Sequence, residues 1–339
     1  MTRIIDVARR AGVSTATVSR VLNGKNVRPE LAAAVRDAVG ELGYSPDRTA
    51  RSLRRRHSEV IALVLPDVEN PFFTAVARGV EDAALEAGYS VVLCNTDDRR
   101  DKEERYLGVA DDENMAGVIL APADATPPIG RLVERGRSVV VIDRRVTHDV
   151  DQVTFDNRAL GFRATKALVD RGFRRIACIT GPETTSTAVD RAEGWRDALH
   201  DAGLVADDGL LVHANFRVDG GYEAIGTLLG RSPAPDAVLA TNNLAGVGVL
   251  RALADRHGGP APAPAGDDGS AGPVLGVGVV GDLPFATSRT SDVVIVPLNP
   301  RDLGVTAAGL LLERIAGSDA PARQLIQETE DHREGVRPV

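Results

Sequence analysis

From residue 59 onward the chain repeats one pattern: a short, nearly continuous run of Val, Ile and Leu, then a longer stretch with helical spacing. The runs are VIALVLP (60–66), SVVLCN (90–95), GVILAP (117–122), SVVVID (138–143), RIACIT (175–180), AVLATN (237–242), VLGVGVV (274–280) and VVIVP (293–297). A strand with one wet face alternates apolar and polar residues, so unbroken apolar runs are strands buried on both faces. FFTAVARGVEDAALEAG and NRALGFRATKALVDRG, which lie between runs, have the periodicity of helices. This alternation predicts parallel sheets covered by helices on both sides. At 339 residues the chain exceeds one ordinary core, leaving room for a small module ahead of that α/β body.

The first residues fit such a module. Ile4, Ile5, Val7, Ala8 and Ala11 mark a short amphipathic helix closed by Gly12. Ser14 is an N-cap for a second helix, TATVSRVLN, which Asn23-Gly24 stops. A third starts near Pro29-Glu30, carries Leu31, Ala34, Val35, Ala38, Val39 and Leu42, and ends at Gly43. Two short helices joined by a glycine turn, with a third completing the core, form a helix-turn-helix. Small residues early in the second helix let its start enter a major groove. Charge agrees. Residues 1–56 hold twelve Lys/Arg against five acids, about +7, so a net −8 leaves about −15 on the remainder. A polyanion is drawn to the head and repelled by the body.

Other classes find little support. No apolar stretch approaches the roughly 20 residues of a membrane span. MTRIIDVARRAG has charges where a signal peptide needs an apolar stretch, so a cytoplasmic location is expected. Cys94 and Cys178 lie in apolar runs without CxxC spacing and read as buried thiols. GVGVVG (276–281) matches GxGxxG, but Pro284 and the next strand leave too short a crossover for a dinucleotide site. There is no GxSxG elbow, Walker loop or HExxH site, and neither an enzyme nor a cofactor or metal is expected.

In parallel α/β sheets, ligands sit beyond the strand C-termini. The polar residues there are Asp67, Asn70, Asp97, Asp143, Asp156, Asn242, Asn243 and Asp282. Carboxylates and amides can hold paired hydroxyls, while Phe72, Phe73, Phe155, Trp195 and Phe216 can cover apolar sugar faces. Each Asp or Asn could instead cap the helix that follows it.

DVARRAGVSTATVSRVLNG resembles the signature of the LacI-type (lactose/galactose repressor) family of bacterial transcriptional regulators. PDVENPFF, VIDRR, the DRAEGW stretch and NNLAGVGVLRAL look like landmarks of the same family. The resemblance implies a helix-turn-helix head (1–45), a hinge helix (46–58) and a two-lobed α/β body like the periplasmic binding proteins (59–339). It puts the N-lobe at 59–157 and 290–317 and the C-lobe at 158–285 and 320–336, with crossings near 157–160, 284–292 and 317–322. Thr15 and Ala16 fall where members touch base edges, and Arg20 where an arginine grips bases or backbone. Ser14, Thr17 and Ser19 serve as caps or phosphate contacts, and Asn23, Arg48 and Ala50 complete the set expected at DNA. Leu53 is either a minor-groove wedge or an ordinary linker residue.

By position, Asp143, Arg191, Trp195, Phe216 and Asn242 match effector-contacting sites and Phe73 a pocket wall. Arg191 could instead bridge to Asp190 or toward Glu193. The implied function is a repressor that binds a palindromic operator as a homodimer, under a sugar-like effector. EGVRPV shows no leucine heptads, so no tetramer is expected. Three departures stand out. Asp47 replaces the usual Asn, with Arg48 after it. Gly281 stands where the family's ligand-binding aspartate usually is, with Asp282 next to it. HGGPAPAPAGDDGSAGP (257–273) is longer than usual and has the content of a loop.

Overall fold

The structure, a computed structural model, describes residues 2–22, 26–44, 58–256, 275–283 and 293–329. Asn23, the expected hinge residues Asp47, Arg48, Ala50 and Leu53, the 257–273 insertion and the EGVRPV tail lie outside them. The chain divides into two compact units, residues 1–58 and 59–339.

The first unit is three helices: α1 (Ile4–Ala11), α2 (Thr15–Leu22) and α3 (Pro29–Leu42). Gly12 (φ +67°) and Gly43 (φ +55°) end α1 and α3 in the left-handed conformation that glycine adopts without penalty. A capping box opens α1, with the Arg3 amide donating to Asp6 Oδ2 at 2.9 Å. Val7, Ala8, Val18, Val35 and Ala38 form the core, one or two from each helix.

The second unit holds two all-parallel sheets. The first contains β1 (Val60–Leu65), β2 (Ser90–Asn95), β3 (Gly117–Leu120), β4 (Ser138–Ile142), β5 (Asp151–Thr154) and β11 (Gln324–Ile326), in the order β11-β5-β4-β3-β1-β2. The second contains β6 (Ile176–Thr180), β7 (Leu211–His213), β8 (Ala237–Ala240), β9 (Gly276–Val280) and β10 (Val293–Val296), in the order β10-β9-β8-β6-β7. Each sheet starts one strand in from an edge, adds that edge, then reverses. The reversals fall between β1 and β3 and between β6 and β8, and such switch points open a crevice at the strand C-termini.

Helices α4 (Pro71–Glu86), α5 (Arg100–Asp112), α6 (Gly130–Glu134) and α11 (Pro300–Ile315) belong to the first lobe. Helices α7 (Asn157–Asp170), α8 (Ser186–Asp201), α9 (Val218–Leu229) and α10 (Asn243–Arg256) belong to the second. Glycine lets α4 and α11 touch backbone to backbone. A Cβ on Gly79 would lie 2.1 Å from the Arg301 carbonyl oxygen, and one on Gly304 2.2 Å from that of Val76.

Two boundaries differ from the expected lobes. β10 lies in the second sheet, with Val293 beside Val277, and β11 in the first, with Gln324 beside Gln152. Residues 293–296 therefore belong to the C-lobe and 324–326 to the N-lobe. The return from second lobe to first comes at 297–299, after β10, instead of within 284–292, which lies outside the described residues. The final crossing follows β11 at 327–329, where Thr329 Oγ1 accepts from Arg163 of α7 at 2.9 Å, instead of at 317–322. Asp151 helps hold β11 in the first sheet. Its carboxylate takes the Arg323 amide at 2.7 Å and pins the returning chain to the edge of the first sheet.

Gly276 and Gly278 of the GxGxxG match are strand residues. A Cβ on Gly276 would meet the Phe173 ring at 2.4 Å, so these glycines make room for packing and cradle no phosphate. Cys94 and Cys178 are buried free thiols. No helix among the described residues is long and apolar enough to cross a membrane.

Candidate functional site

In the first unit α2 has one buried residue, Val18, and Thr15, Ala16 and Arg20 are exposed. Ser14 caps the helix as its sequence implies: its Oγ accepts the Thr17 amide at 3.1 Å and lies 3.0 Å from Thr17 Oγ1. Ser19 is half-buried. Arg10 is tied to Glu41 of α3 at 2.5 Å. Arg20 has no acidic partner among the described residues.

In the second unit a crevice between the lobes encloses about 950 Å³, counting its open mouth. Both switch points feed it. Asp67 and Asn70 follow β1, and Asn242 and Asn243 follow β8; all four line it. Of the expected effector residues it brings together Asn70, Phe72, Phe73, Asp143, Arg191, Phe216, Asn242 and Asp282. Phe155 and Trp195 stay out. Trp195 is fully buried behind α8 and donates its indole N–H to the Ile176 carbonyl at 3.1 Å, at the end of β6 away from the crevice. Phe155 lies in the core, its ring 6.3 Å from that of Phe72. The capping alternative holds outright for Asp156, which is exposed, takes the Ala159 amide at 3.0 Å and does not line the crevice. Asp97 binds Asn95 and Lys102, and its neighbour Asp98 lines the crevice instead.

Asp143 and Arg191 form the polar floor. Asp143 is 6% exposed, and its carboxylate makes no hydrogen bond to another described residue; the nearest cation is Arg144 Nε at 3.7 Å. Burial pushes its pKa up, opposed by Arg144 and Arg191. Arg191 donates Nε–H to Asn157 Oδ1 at 2.9 Å and an Nη1 hydrogen to the Thr241 carbonyl at 2.7 Å. Burial lowers its pKa, opposed by Asp143. It bridges to neither expected partner: Asp190 binds Arg145 of the first lobe at 2.8 Å, and Glu193 binds Arg196 at 2.7 Å. Gly161 of α7 sets its position, since a Cβ there would lie 2.1 Å from Arg191's own carbonyl oxygen.

Strain gathers at this floor. Five residues other than glycine have positive φ among the described residues, and three line the crevice: Asp98 (57°), Asp143 (63°) and Phe216 (59°). Such conformations cost about 1–3 kcal/mol each and persist where surrounding structure holds them, often at ligand sites. Phe216 rests against Gly181, where a Cβ would come within 2.1 Å of its ring. The lobes also touch across the crevice. Asn243 Nδ2 donates to Asn70 Oδ1 at 2.9 Å, Arg217 stands 3.7 Å from Asp67, and the Arg145 amide donates to Ser186 Oγ at 3.0 Å.

Sequence reasoning missed Asp98, Arg144, Thr187, Asn215 and Arg217. Arg144 and Arg217 directly follow Asp143 and Phe216, and that adjacency was the available signal. Gly281, at the departure from the expected aspartate, has φ +93°, which suits glycine, and Asp282 lines the crevice beside it.

Residues 58–333 match the family model described as periplasmic binding proteins and sugar binding domain of LacI family, and residues 3–47 match bacterial regulatory proteins, lacI family. The ribose operon repressor of Halalkalibacterium halodurans is 38% identical over 253 residues, 74% of this chain and 75% of that protein. The HTH-type transcriptional regulator CelR of Thermobifida fusca is 33% identical over 339 residues, 95% of this chain and 94% of that one. Among solved structures, a CelR–cellobiose complex has a TM-score of 0.70 at 31% identity, covering 97% of this chain and 98% of that one. The lac repressor dimer bound to operator and the anti-inducer ONPF has a TM-score of 0.78 at 21% identity over 96% of each chain, a likeness of fold. A three-helix head, a body with two switch-point sheets and these matches converge: the chain belongs to the LacI family of bacterial transcriptional regulators and is not an enzyme.

Proposed function

We propose that the protein is a cytoplasmic repressor that binds a palindromic operator as a homodimer and answers to a sugar-like effector held between its lobes. The observation that carries this reading is the crevice floor. A buried carboxylate, Asp143, lines the crevice with Arg191, near enough for each to shift the other's pKa, and Phe72, Phe73 and Phe216 line the same crevice. One hydroxyl can donate to Asp143 and accept from Arg191, while the rings cover the C–H faces of a pyranose or furanose. Asn70, Asn242 and Asp282 complete the lining. The ribose and cellobiose named for the relatives are the first ligands to try.

At the operator, Thr15 and Ala16 meet base edges and Arg20 grips a guanine or nearby phosphate, with Ser14, Thr17 and Ser19 fixing the helix start on the backbone. Asn23, Arg48, Ala50 and Leu53 are assigned to the DNA on the family pattern. Two heads need two bodies held together. The uncovered apolar side chains of β2, Val92 and Leu93 (42% and 45% exposed at a sheet edge), support pairing through the first lobe. Closure about the ligand then shifts the population of lobe arrangements that the paired heads require.

The test is a mobility shift on palindromic duplexes. Binding should weaken steeply with added salt, and ribose or cellobiose should change it. Arg20→Ala should cost about 1–3 kcal/mol of discrimination between operator and scrambled duplex. If its sequence preference matches the wild type, Arg20 does not read the operator.

A further inference from the structure

Among the described residues four carboxylates line the crevice, Asp67, Asp98, Asp143 and Asp282, against three guanidinium groups, Arg144, Arg191 and Arg217. A phosphate ester brings nearly two negative charges and seeks uncommitted cations or open helix N-termini. Arg144 and Arg191 already donate to the protein, whereas Arg217 stands near a carboxylate without a hydrogen bond to it. Arg144 donates to Asp98 and, at 2.8 Å, to the Pro122 carbonyl, and it also faces Asp143. Arg217 faces Asp67, and Arg191 has two of its N–H groups on Asn157 and Thr241.

The starts of α4, α10 and α11 are closed as well, while those of α8 and α9 carry no side-chain cap. α4 and α11 open with Pro71 and Pro300, which have no N–H. The next donor of α4, the Phe72 amide, goes to Asn70 Oδ1 at 3.0 Å. At α11, Asn299 Oδ1 accepts from the Asp302 amide at 3.4 Å, and at α10 Asn242 Oδ1 accepts from Ala245 at 3.0 Å. α8 has no side-chain cap, and Ser186 at its start is held by the Arg145 amide. Beside the remaining N–H groups of Arg191 and Arg217, a ligand meets a buried carboxylate, Asp143, which accepts from O–H groups and repels anions where water is excluded.

We infer that the crevice selects an uncharged polyol and turns away its phosphate ester, with Asp98 setting that preference by holding the Arg144 guanidinium. The inference rests on the sugar-effector reading and adds the ligand's charge.

Calorimetric titration of the full-length protein tests it with D-ribose against ribose 5-phosphate, D-glucose against glucose 6-phosphate, and inorganic phosphate. The parent sugar should bind about a hundredfold more tightly than its ester, and inorganic phosphate should not bind. Asp98→Asn releases Arg144 and should narrow the parent-to-ester ratio about tenfold by strengthening the ester; a merely structural lesion weakens both alike and leaves the ratio unmoved. An ester that binds as tightly as its parent, binding of inorganic phosphate, or an unchanged ratio in Asp98→Asn overturns the inference and leaves the effector crevice standing. If neither sugars nor esters bind, the sugar reading falls, and this inference with it.

Discussion

Replacing Asp151 with alanine should lower the unfolding free energy of the body by about 3–5 kcal/mol, the usual loss when one partner of a buried ion pair is removed. The side chain is wholly buried. Arg314 binds it in a fork, Nε at 2.7 Å and Nη2 at 2.9 Å, and the Arg323 amide adds a third bond at 2.7 Å. One carboxylate thus ties β5 to α11 and to the segment entering β11. Without it, Arg314 keeps its charge with only backbone carbonyls, Ser318, Ala320 and Pro321, as partners. Denaturant unfolding of wild type and variant at pH 7 measures the difference. Burial pushes the Asp151 pKa up, but Arg314 and the Arg323 amide outweigh it, and the folded value lies below that of an ordinary carboxylate. The stabilisation is therefore complete above the unfolded pKa of about 3.9 and disappears as pH falls through the lower folded value. Wild type and variant should converge in acid. A gap that persists to the lowest pH would show that packing, and not charge, is its source.

Arg191→Ala should weaken effector binding by about tenfold to a hundredfold, the scale of a hydrogen bond to a charged group at about 1.4 kcal/mol per decade. Operator binding without effector should persist. Stability should also fall, by about 1–3 kcal/mol for each buried acceptor left without its donor, because Asn157 Oδ1 and the Thr241 carbonyl both depend on this guanidinium. Arg191→Lys should rescue little, since one ammonium cannot reproduce a planar fork aimed at two acceptors. Titration calorimetry with operator binding as the control separates the effects. A variant that responds fully to effector would remove Arg191 from the site.

All eight apolar runs became strands: the six interior ones are sealed on both faces and must be apolar at every position, while β2 and β10 lie at sheet edges and β2 leaves Val92 and Leu93 exposed. The three strands without such a run, β5, β7 and β11, are short edge or near-edge strands. β5 carries Asp151 and Gln152; Gln152 is held by the nearby Val146, but the burial of Asp151 depends on Arg314, distant in sequence. In the crevice, chain ends of strands were legible and depth along a helix was not. Arg191 and Trp195 are one turn apart on α8. The first faces the crevice, and the second reaches the opposite end of β6, so helical spacing paired two residues that the sheet separates. Asp98 escaped notice because Asp97 beside it is chemically identical, and only the backbone decides which one turns inward.

The close seating of α11 on α4 bears on the order in which the lobes are completed. The second lobe's strands run from residue 176 to 296 without a detour, so that lobe can close as soon as this stretch has left the ribosome. The first lobe begins earlier and finishes later. Its helix partner and its edge strand arrive only at Pro300–Ile315 and Gln324–Ile326. Until then the glycine-bearing face of α4 lacks its cover, so the half of the body that is translated first depends longest on protection from aggregation during synthesis.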